Sequence, residues 1–324
     1  MTHPTRQPPD LPDETGVMPD PAETLPDVTA YQPVVADAVL EASLEERIRG
    51  RRVRVFARNT PALIGILFLV FVIVMAVFAP LVTTFDPNDA QLTERNLTPL
   101  TDGHLLGTDD LGRDIYSRLV YGARVSLLVG LGTVLAALAI ALPIGMVAGY
   151  YEGHVDNWFM RVVDAILSIP PLLLVFAVAG TLGVGLRNAA IALGIFFAPV
   201  FIRLIRGEVR TVRRSQLVEA EVSVGAPTHY IMWRHILPVI AAPLIVQASL
   251  NVGTAILAET SLSFLGLGAV TPTASWGNML RQAFDEIELR AWPVFIPGLA
   301  IAFTVLAINV FGDGLRDALG RVEQ

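Results

Sequence analysis

The chain has 324 residues, of which 53% are hydrophobic and 16% charged, and its mean hydropathy of +0.57 indicates a membrane protein rather than a soluble domain. Cysteine is absent, which excludes disulfides, thiolate metal sites and thiol redox chemistry. All 23 basic residues are arginine, and the formal net charge of −7 misleads because much of the acid lies in the first 46 residues. Since a Walker A loop needs a lysine to reach the phosphates, another subunit would have to handle any ATP.

The N-terminal stretch, residues 1–42, is rich in Pro, Asp, Glu and Thr and has no hydrophobic periodicity, so we expect a disordered, acidic, Pro-rich cytoplasmic tail. Ser43 and Glu46 then have the spacing of a capping box, and six arginines follow up to Arg58. This pattern predicts a basic juxtamembrane helix over 43–60. Basic amphipathic patches also bind nucleic acid. Because this one runs directly into an apolar stretch, we favour an anchor at the lipid surface and no nucleic-acid partner.

Six apolar stretches follow, each near the ~20 residues that a helix needs to cross the hydrocarbon core. They cover residues 61–82, 124–149, 165–186, 188–205, 239–262 and 292–312. The sequence therefore predicts an all-α membrane protein with six helices. We divide it into a first membrane helix with an outer segment, 61–123, and a core, 124–324, whose cytoplasmic loop covers 206–238. The third and fourth stretches are separated only by a tight turn at 183–188.

The placement of arginine sets the expected orientation. With the N-terminus inside, fifteen arginines fall in cytoplasmic segments, leaving aside Arg6, and seven fall outside. The cytoplasmic set includes the run 47–58 and the five arginines between Arg203 and Arg214. This bias predicts that both termini, and the loop 206–238 with them, are cytoplasmic.

Three acidic residues, Asp109, Asp110 and Asp114, have a spacing that could suggest a magnesium site. Gly112 and Arg113 between them argue instead for a capped, salt-bridged turn. The five histidines form no H-E-x-x-H, and no G-x-S-x-G is present. We therefore expect no enzyme activity, no metal site and no cofactor.

Polar residues inside the apolar stretches mark candidate contacts. Gln247, Asn251 and Thr254 recur at helical spacing and share one face, which should line a translocation path or hydrogen-bond to another helix. Glu259, near the outer end of the same stretch, is an intramembrane carboxyl and so a candidate for the path, although structural pairing with an outer arginine is an equal alternative. The small residues Gly145 and Gly149 would allow close helix packing.

Residues 217–238, LVEAEVSVGAPTHYIMWRHILP, form a polar segment between the fourth and fifth apolar stretches. Small Ala220 would let a partner approach, Gly225 would allow the chain to turn, and Pro238 would begin the next helix. The plain alternative is an ordinary amphipathic connector.

The pattern of this segment resembles the EAA loop of ABC-importer permeases, and its form GAxxxxIxxRHILP resembles the peptide and nickel branch. Residues 106–130, 261–280 and 309–319 are similar to further stretches of the second permease type of that branch, so the resemblance covers the chain from about residue 45 onward. Glu221 departs from the pattern, which has alanine there. The resemblance implies that the ATPase-coupling residues are Glu219, Ala220, Gly225, His235, Leu237 and Pro238.

The same resemblance implies a type I ABC-importer transmembrane domain in a prokaryotic cell membrane. Its expected partners are a homologous permease, two ATP-binding subunits and an extracytoplasmic solute-binding protein. The expected substrate is a di- or oligopeptide, with nickel chelates or another small solute as the alternative. An ion-coupled secondary transporter is the rival class, but it would need buried ionisable groups in mid-span and internal repeats.

Overall fold

The computed structural model describes residues 56–320, apart from the side chains of Pro171, Leu172 and Gly320. The predicted tail 1–42 and most of the predicted basic helix 43–60 lie outside the described residues. Within the described range the regular elements are all helices, and they are joined by turns and two isolated β-bridges.

Eleven α-helices are numbered in chain order over the described residues. They are α1 Thr60–Val77, α2 Ala79–Val82, α3 Ile115–Tyr151, α4 Gly153–Leu167, α5 Pro171–Leu182, α6 Leu186–Arg213, α7 Gln216–Ser223, α8 Thr228–Tyr230, α9 Leu237–Phe264, α10 Trp276–Asp285 and α11 Trp292–Gly320. A 3₁₀ turn covers Leu92–Glu94, and a π-helical segment, Ile231–Ile236, joins α8 to α9.

Five of these helices are long and apolar enough to cross a membrane, namely α1, α3, α6, α9 with the turns before it, and α11. They contain all or most of five predicted stretches. The third stretch, 165–186, is not one helix. The chain leaves helical geometry between α4 and α5, because Pro171 lacks an N–H and disfavours helical geometry at the residue before it. The 12 residues of α5 extend about 18 Å, short of the ~30 Å hydrocarbon core.

The most extensive helix pair is α3 with α6, and two glycines explain its closeness. A Cβ added at Gly145 would lie 2.7 Å from Ile205 Cβ, and one added at Gly149 would lie 2.7 Å from Val209 Cβ. The predicted small-residue face is therefore confirmed, and α6 is its partner. Around this pair α9 packs against α3 and α11, and α1 packs against α11.

The 37 residues of α3 separate two ends of the bundle by about 55 Å. At the start of α3, residues 83–114 and 265–291 form a region that we call the cap. At its other end, residues 150–164 and 203–236 form a region that we call the loop end. Most of the charged side chains among the described residues lie in these two regions.

Candidate functional site

Residues 217–238 fold as a helix-turn-helix at the loop end, as the sequence indicated. Helix α7 ends at Ser223, and the N–H of Gly225 donates to Val222 O at 3.0 Å. Gly225 has a φ of +79°, which side chains other than glycine rarely adopt, and a Cβ there would meet nothing within 4 Å. The glycine is therefore required for the turn and not for packing within this chain.

Pro238 lies in the first turn of α9, of which it is the second residue, as the sequence indicated. The sequence did not indicate that the residues before it are helical as well, so that the chain is helical without interruption from Thr228 to Phe264. The six residues before α9, Ile231–Ile236, are π-helical. Because the proline ring would clash with the carbonyl four residues earlier in an α-helix, a wider turn at this point accommodates it.

The segment is held by a few buried apolar side chains and displays others. Val218 is 1% exposed, and Ile231 and Ile236 are fully buried against the core. The large apolar side chains that face outward on the same segment are Leu217, Val222, Val224, Tyr230 and Trp233. Leu217, Val222 and Val224 lie outside the long apolar helices, and exposed apolar side chains grouped in this way are typical of a protein–protein contact.

Glu221, the residue that departs from the EAA pattern, has a partner within the segment. Its Oε1 lies 3.3 Å from Nε2 of His235, although the geometry is not that of an aligned hydrogen bond. The His235 ring also meets Tyr230 edge to face, with 5.4 Å between ring centroids. Glu221 therefore links α7 to the helix after the turn.

The coupling residues that the resemblance implied fall on both arms of this helix-turn-helix. Glu219, Ala220, Gly225 and Pro238 are exposed, while His235 and Leu237 are half-buried. Glu219 also borders a cleft of about 600 Å³, together with Tyr150, Glu152, Arg213, Arg214, Val218, Val222 and Ser223. The structure brings these residues to one end of the bundle.

A group of ion pairs behind the segment was not foreseen from the sequence, which gave only a count of arginines. Asp156 on α4 is 2% exposed, and both of its oxygens accept hydrogen bonds from Arg206 on α6. Arg210 donates to the same carboxylate at 2.8 Å. The hydrogen bond from Arg206 is the main reason that the pKa of Asp156 lies below its usual value, despite the opposing effect of burial. These pairs join α4 to α6 just before the chain enters α7.

The polar face of α9 has its three predicted members at three different depths. Asn251 is 7% exposed, and its Nδ2 donates to Gln247 O at 2.8 Å. Gln247 is half-buried and Thr254 is exposed. The end of this face at Thr254 is therefore exposed on the single chain.

Glu259 does not share that exposure. It is 0% exposed, and its Oε1 accepts a hydrogen bond from Ser263 Oγ at 2.6 Å. Among the ion pairs of residues 56–320, none includes Glu259, so the expected pairing with an outer arginine is not found. In this conformation the carboxyl lies between helices and does not line an open path.

The acidic run in the cap is a capped, salt-bridged turn, as predicted. Asp114 caps α3 by accepting from Ser117 N at 2.7 Å, and Asp109 Oδ2 pairs with Arg113 Nε at 2.7 Å. Arg118 is 1% exposed and donates to the backbone of Pro87 at 3.0 Å. Arginine at this depth is held by several acceptors, because an unpaired buried charge is costly.

The chain is similar to known transport proteins over most of its length. Residues 141–322 match the family described as binding-protein-dependent transport system inner membrane component. Residues 50–99 match the N-terminal TM domain of oligopeptide transport permease C. One solved structure, titled as inward facing conformations of the MetNI methionine ABC transporter, aligns with a TM-score of 0.51 at 20% identity. It covers 62% of this chain and 96% of that chain, and at this identity it supports the fold alone.

Three relatives illustrate the similarity in sequence. The di/tripeptide transport system permease protein DppC of Pseudomonas aeruginosa is 46% identical, covering 82% of this chain and 89% of its own length. The dipeptide transport system permease protein DppC of Alkalihalophilus pseudofirmus is 42% identical, with 81% and 86% covered. The glutathione transport system permease protein GsiD of Pectobacterium atrosepticum is 39% identical, with 82% and 88% covered. This chain therefore belongs to the binding-protein-dependent transport system inner membrane components and is a multi-pass permease subunit of an ABC transporter, whose ATP is hydrolysed by a partner subunit.

Proposed function

We propose that this subunit forms half of the translocation path of an importer for di- or oligopeptides. The relatives at 39–46% identity carry names for dipeptide, di/tripeptide and glutathione transport, and glutathione is itself a tripeptide. On α9, Gln247 and Thr254 are the path-facing residues that we favour, because they combine a polar side chain with exposure. Import of nickel chelates or another small solute remains the alternative, and uptake assays with labelled dipeptides and with nickel chelates would separate the two.

We further propose the assembly in which the subunit works. It pairs with a homologous permease, binds one of two ATP-binding subunits through residues 217–238 and receives solute from an extracytoplasmic binding protein. The arginine distribution supports an orientation with both termini and the loop end in the cytoplasm. In that orientation the apolar helix α5 provides the sixth crossing together with part of α4.

The observation that carries the proposal is the exposed apolar surface of residues 217–233. Val224 is 80% exposed and Leu217 is 56% exposed, although both lie outside the long apolar helices. Trp233, 62% exposed, adds to this surface at the start of the helix Thr228–Phe264. Burying such side chains against another protein is favourable by ~25 cal/mol per Å² of apolar area. A docked ATPase provides that burial, and a plain connector between membrane helices has no need of the exposure.

The proposed mechanism is a two-state change driven from this surface. Closure of the ATPase pair on ATP would move residues 217–238 as a rigid unit, because Val218, Ile231 and Ile236 fix it to the core. The bundle would then change from inward-open to outward-open, since packed helices have discrete arrangements.

Gly225 provides the test of coupling. In a reconstituted complex, Gly225→Trp places a large side chain in the open space where the partner docks, and we expect ATP-dependent uptake to fall at least tenfold. Gly225→Asn is the matched control, because asparagine tolerates positive φ and adds little bulk; it should retain most of the uptake. Unchanged transport by the tryptophan variant would refute the coupling role.

Orientation has its own test in this cysteine-free chain. Single cysteines at Val224 and Val270, 80% and 54% exposed, are treated with a membrane-impermeant maleimide on intact cells. We expect labelling at position 270 only. Labelling at position 224 from outside would reverse the orientation.

A further inference from the structure

Glu259 occupies a junction between the longest membrane helices and the cap. It lies five residues before the end of α9, fully buried, and receives the Ser263 hydroxyl hydrogen on Oε1. The hydroxyl of Ser126 on α3 also interacts with this carboxyl, although Oε2 makes no hydrogen bond of good geometry. The carboxyl is thus bounded by two serine hydroxyls from two different helices.

Each of these serines also holds the backbone of the cap. Ser263 Oγ accepts the N–H of Ala269 at 3.0 Å, and Ser126 Oγ accepts the N–H of Trp276 at 3.3 Å. Ala269 lies within the 265–275 loop, which connects α9 to α10, and Trp276 is the first residue of α10.

A hydroxyl has one hydrogen and two acceptor lone pairs, so its orientation depends on where the hydrogen goes. When Ser263 gives its hydrogen to Glu259, its lone pairs are left free for the N–H of Ala269. Without the carboxyl, the Ser263 hydroxyl loses the group that orients it towards the loop.

Close packing at this point leaves little room for a substitute arrangement. A Cβ at Gly268 would lie 2.0 Å from Ser263 Oγ, so the loop backbone lies directly against the serine. Trp276, which is 2% exposed, adds a hydrogen bond from its indole Nε1 to Leu119 O at 3.0 Å. The loop is therefore fixed to α3 as well as to α9.

We infer that Glu259 is a positioning residue, which fixes the 265–275 loop to α9 by orienting Ser263. The inference gives this residue a role different from lining the translocation path. Its consequence for transport rests on the proposed function: the cap would follow α9 when the loop end moves, because the loop is tied to both helices near Glu259.

A residue that merely fills space would behave differently under substitution. Methionine has a similar volume but offers no hydrogen-bonding oxygen, whereas glutamine keeps one carbonyl oxygen in nearly the same place. If Glu259 has a positioning role, Glu259→Met should disturb the 265–275 loop more than Glu259→Gln does. If the side chain only fills space, the two substitutions should have similar effects.

The experiment measures how often the loop opens in the full-length chain in membranes. Single cysteines replace Ala269 or Ala274, which are 6% and 4% exposed, and are labelled with membrane-permeant N-ethylmaleimide. Exposed Val270→Cys is the control, and its rate should be the same in every background. We expect Glu259→Met to speed labelling at position 269 roughly fivefold, as expected for the loss of about one hydrogen bond, with a smaller change at position 274, and Glu259→Gln to change labelling less than about twofold.

The two serines give an independent signature. Ser263→Ala should speed labelling mainly at position 269, and Ser126→Ala mainly at position 274. Labelling of the methionine variant at the native rate would overturn the inference. If that variant does not insert, Ser263→Ala decides, and a native rate at position 269 in that variant would overturn the inference equally. Labelling requires neither ATP nor solute nor a known orientation, so its outcome is separate from that of the Gly225→Trp transport test.

Discussion

The cap and the loop end contain charges in similar density but satisfy them in different ways. Arg113 in the cap and Arg118 on the first turn of α3 beside it are each 1% exposed and are surrounded by acceptors from segments far apart in sequence. At the loop end, Arg206 and Arg210 have side chains 26% and 32% exposed, and they pair across only two helices. The buried arginines at the cap are thus fully surrounded by acceptors of the same chain, whereas the arginines at the loop end keep part of their surface in contact with solvent.

The tryptophan side chains of the two regions differ in the same direction. Trp276 in the cap is 2% exposed, while Trp233 at the loop end is 62% exposed. Since burial of a large aromatic side chain is a main source of stability, Trp276 stabilises the isolated chain, whereas Trp233 is available for the partner contact that we propose. Substitutions should therefore affect unfolding strongly in the cap and association strongly at the loop end.

The largest effect on stability is expected for Arg118→Ala. This change removes a buried guanidinium that binds the backbone at Pro87 and the side chain of Gln282, and it removes one of the two arginines, Arg113 and Arg118, that pair with Asp109. We expect a loss of about 3–5 kcal/mol in the free energy of unfolding. Denaturant unfolding in detergent measures it, with exposed Arg203→Ala as the control. A loss as small as that of the control would contradict the proposed distinction between the two ends.

A smaller loss, about 1–3 kcal/mol, is expected for Asp156→Asn at the loop end, because Arg206 and Arg210 can turn to water when the carboxylate is removed. The pKa of Asp156 is lowered in the folded chain, so its stabilisation is present above the usual aspartate range and is lost as pH falls through the lowered value. The stability difference between native chain and variant should be full at pH 7 and shrink only in acid. A difference that grew on acidification would contradict the sign.

Asp110→Asn in the cap removes a carboxylate that, unlike Asp156, should lower the stability of the folded chain. Burial, followed by the nearby Asp109 carboxylate, raises the pKa of Asp110, so the folded chain disfavours its ionised form. The cost is present above the raised pKa and disappears as pH falls through it. The asparagine variant should therefore melt slightly higher than the native chain at neutral pH, with the gap closing as pH falls. A lower melting temperature at neutral pH would show that the carboxylate is needed in the turn.

Leu217→Ser and Val224→Ser should change the stability of the isolated chain least, within about 0.5 kcal/mol, because both side chains are already exposed. Their effect should appear in assembly, as weaker co-purification of the ATP-binding subunit. Val270→Ser in the cap, where Val270 is 54% exposed against 56% for Leu217, is the matched control and should leave co-purification unchanged. Equal retention of the ATPase by all three variants would contradict the docking role of the loop end.

Local features of the fold could be predicted from the sequence. The positions of five long apolar helices, the turn at Gly225 and the close packing at Gly145 follow from composition and from residue size. The break before α5 was missed because hydropathy over 165–186 stays high across Pro170 and Pro171. The helix is interrupted there because proline does not fit the interior of a helix, and a hydropathy profile does not record this.

Contacts between residues far apart in the chain could not be predicted from the sequence. Helical spacing places Glu259 on a face of α9, but it does not reveal that α3 and the 265–275 loop cover that residue. The ion pairs of Asp156 join residues 50 and 54 positions apart, and a single sequence carries no signal for such pairing. The continuity of the chain through Pro238 depends on the π-helical turn before it, which no local pattern indicated.

The uninterrupted helix from Thr228 to Phe264 has a mechanical consequence. Its 37 residues form a rod about 55 Å long that begins within the proposed docking segment and ends at the cap. A rotation of about 10° around the midpoint of such a rod shifts its two ends by about 5 Å in opposite directions. A small angular change at the loop end is therefore sufficient to displace the attachment of the 265–275 loop by more than the length of a hydrogen bond.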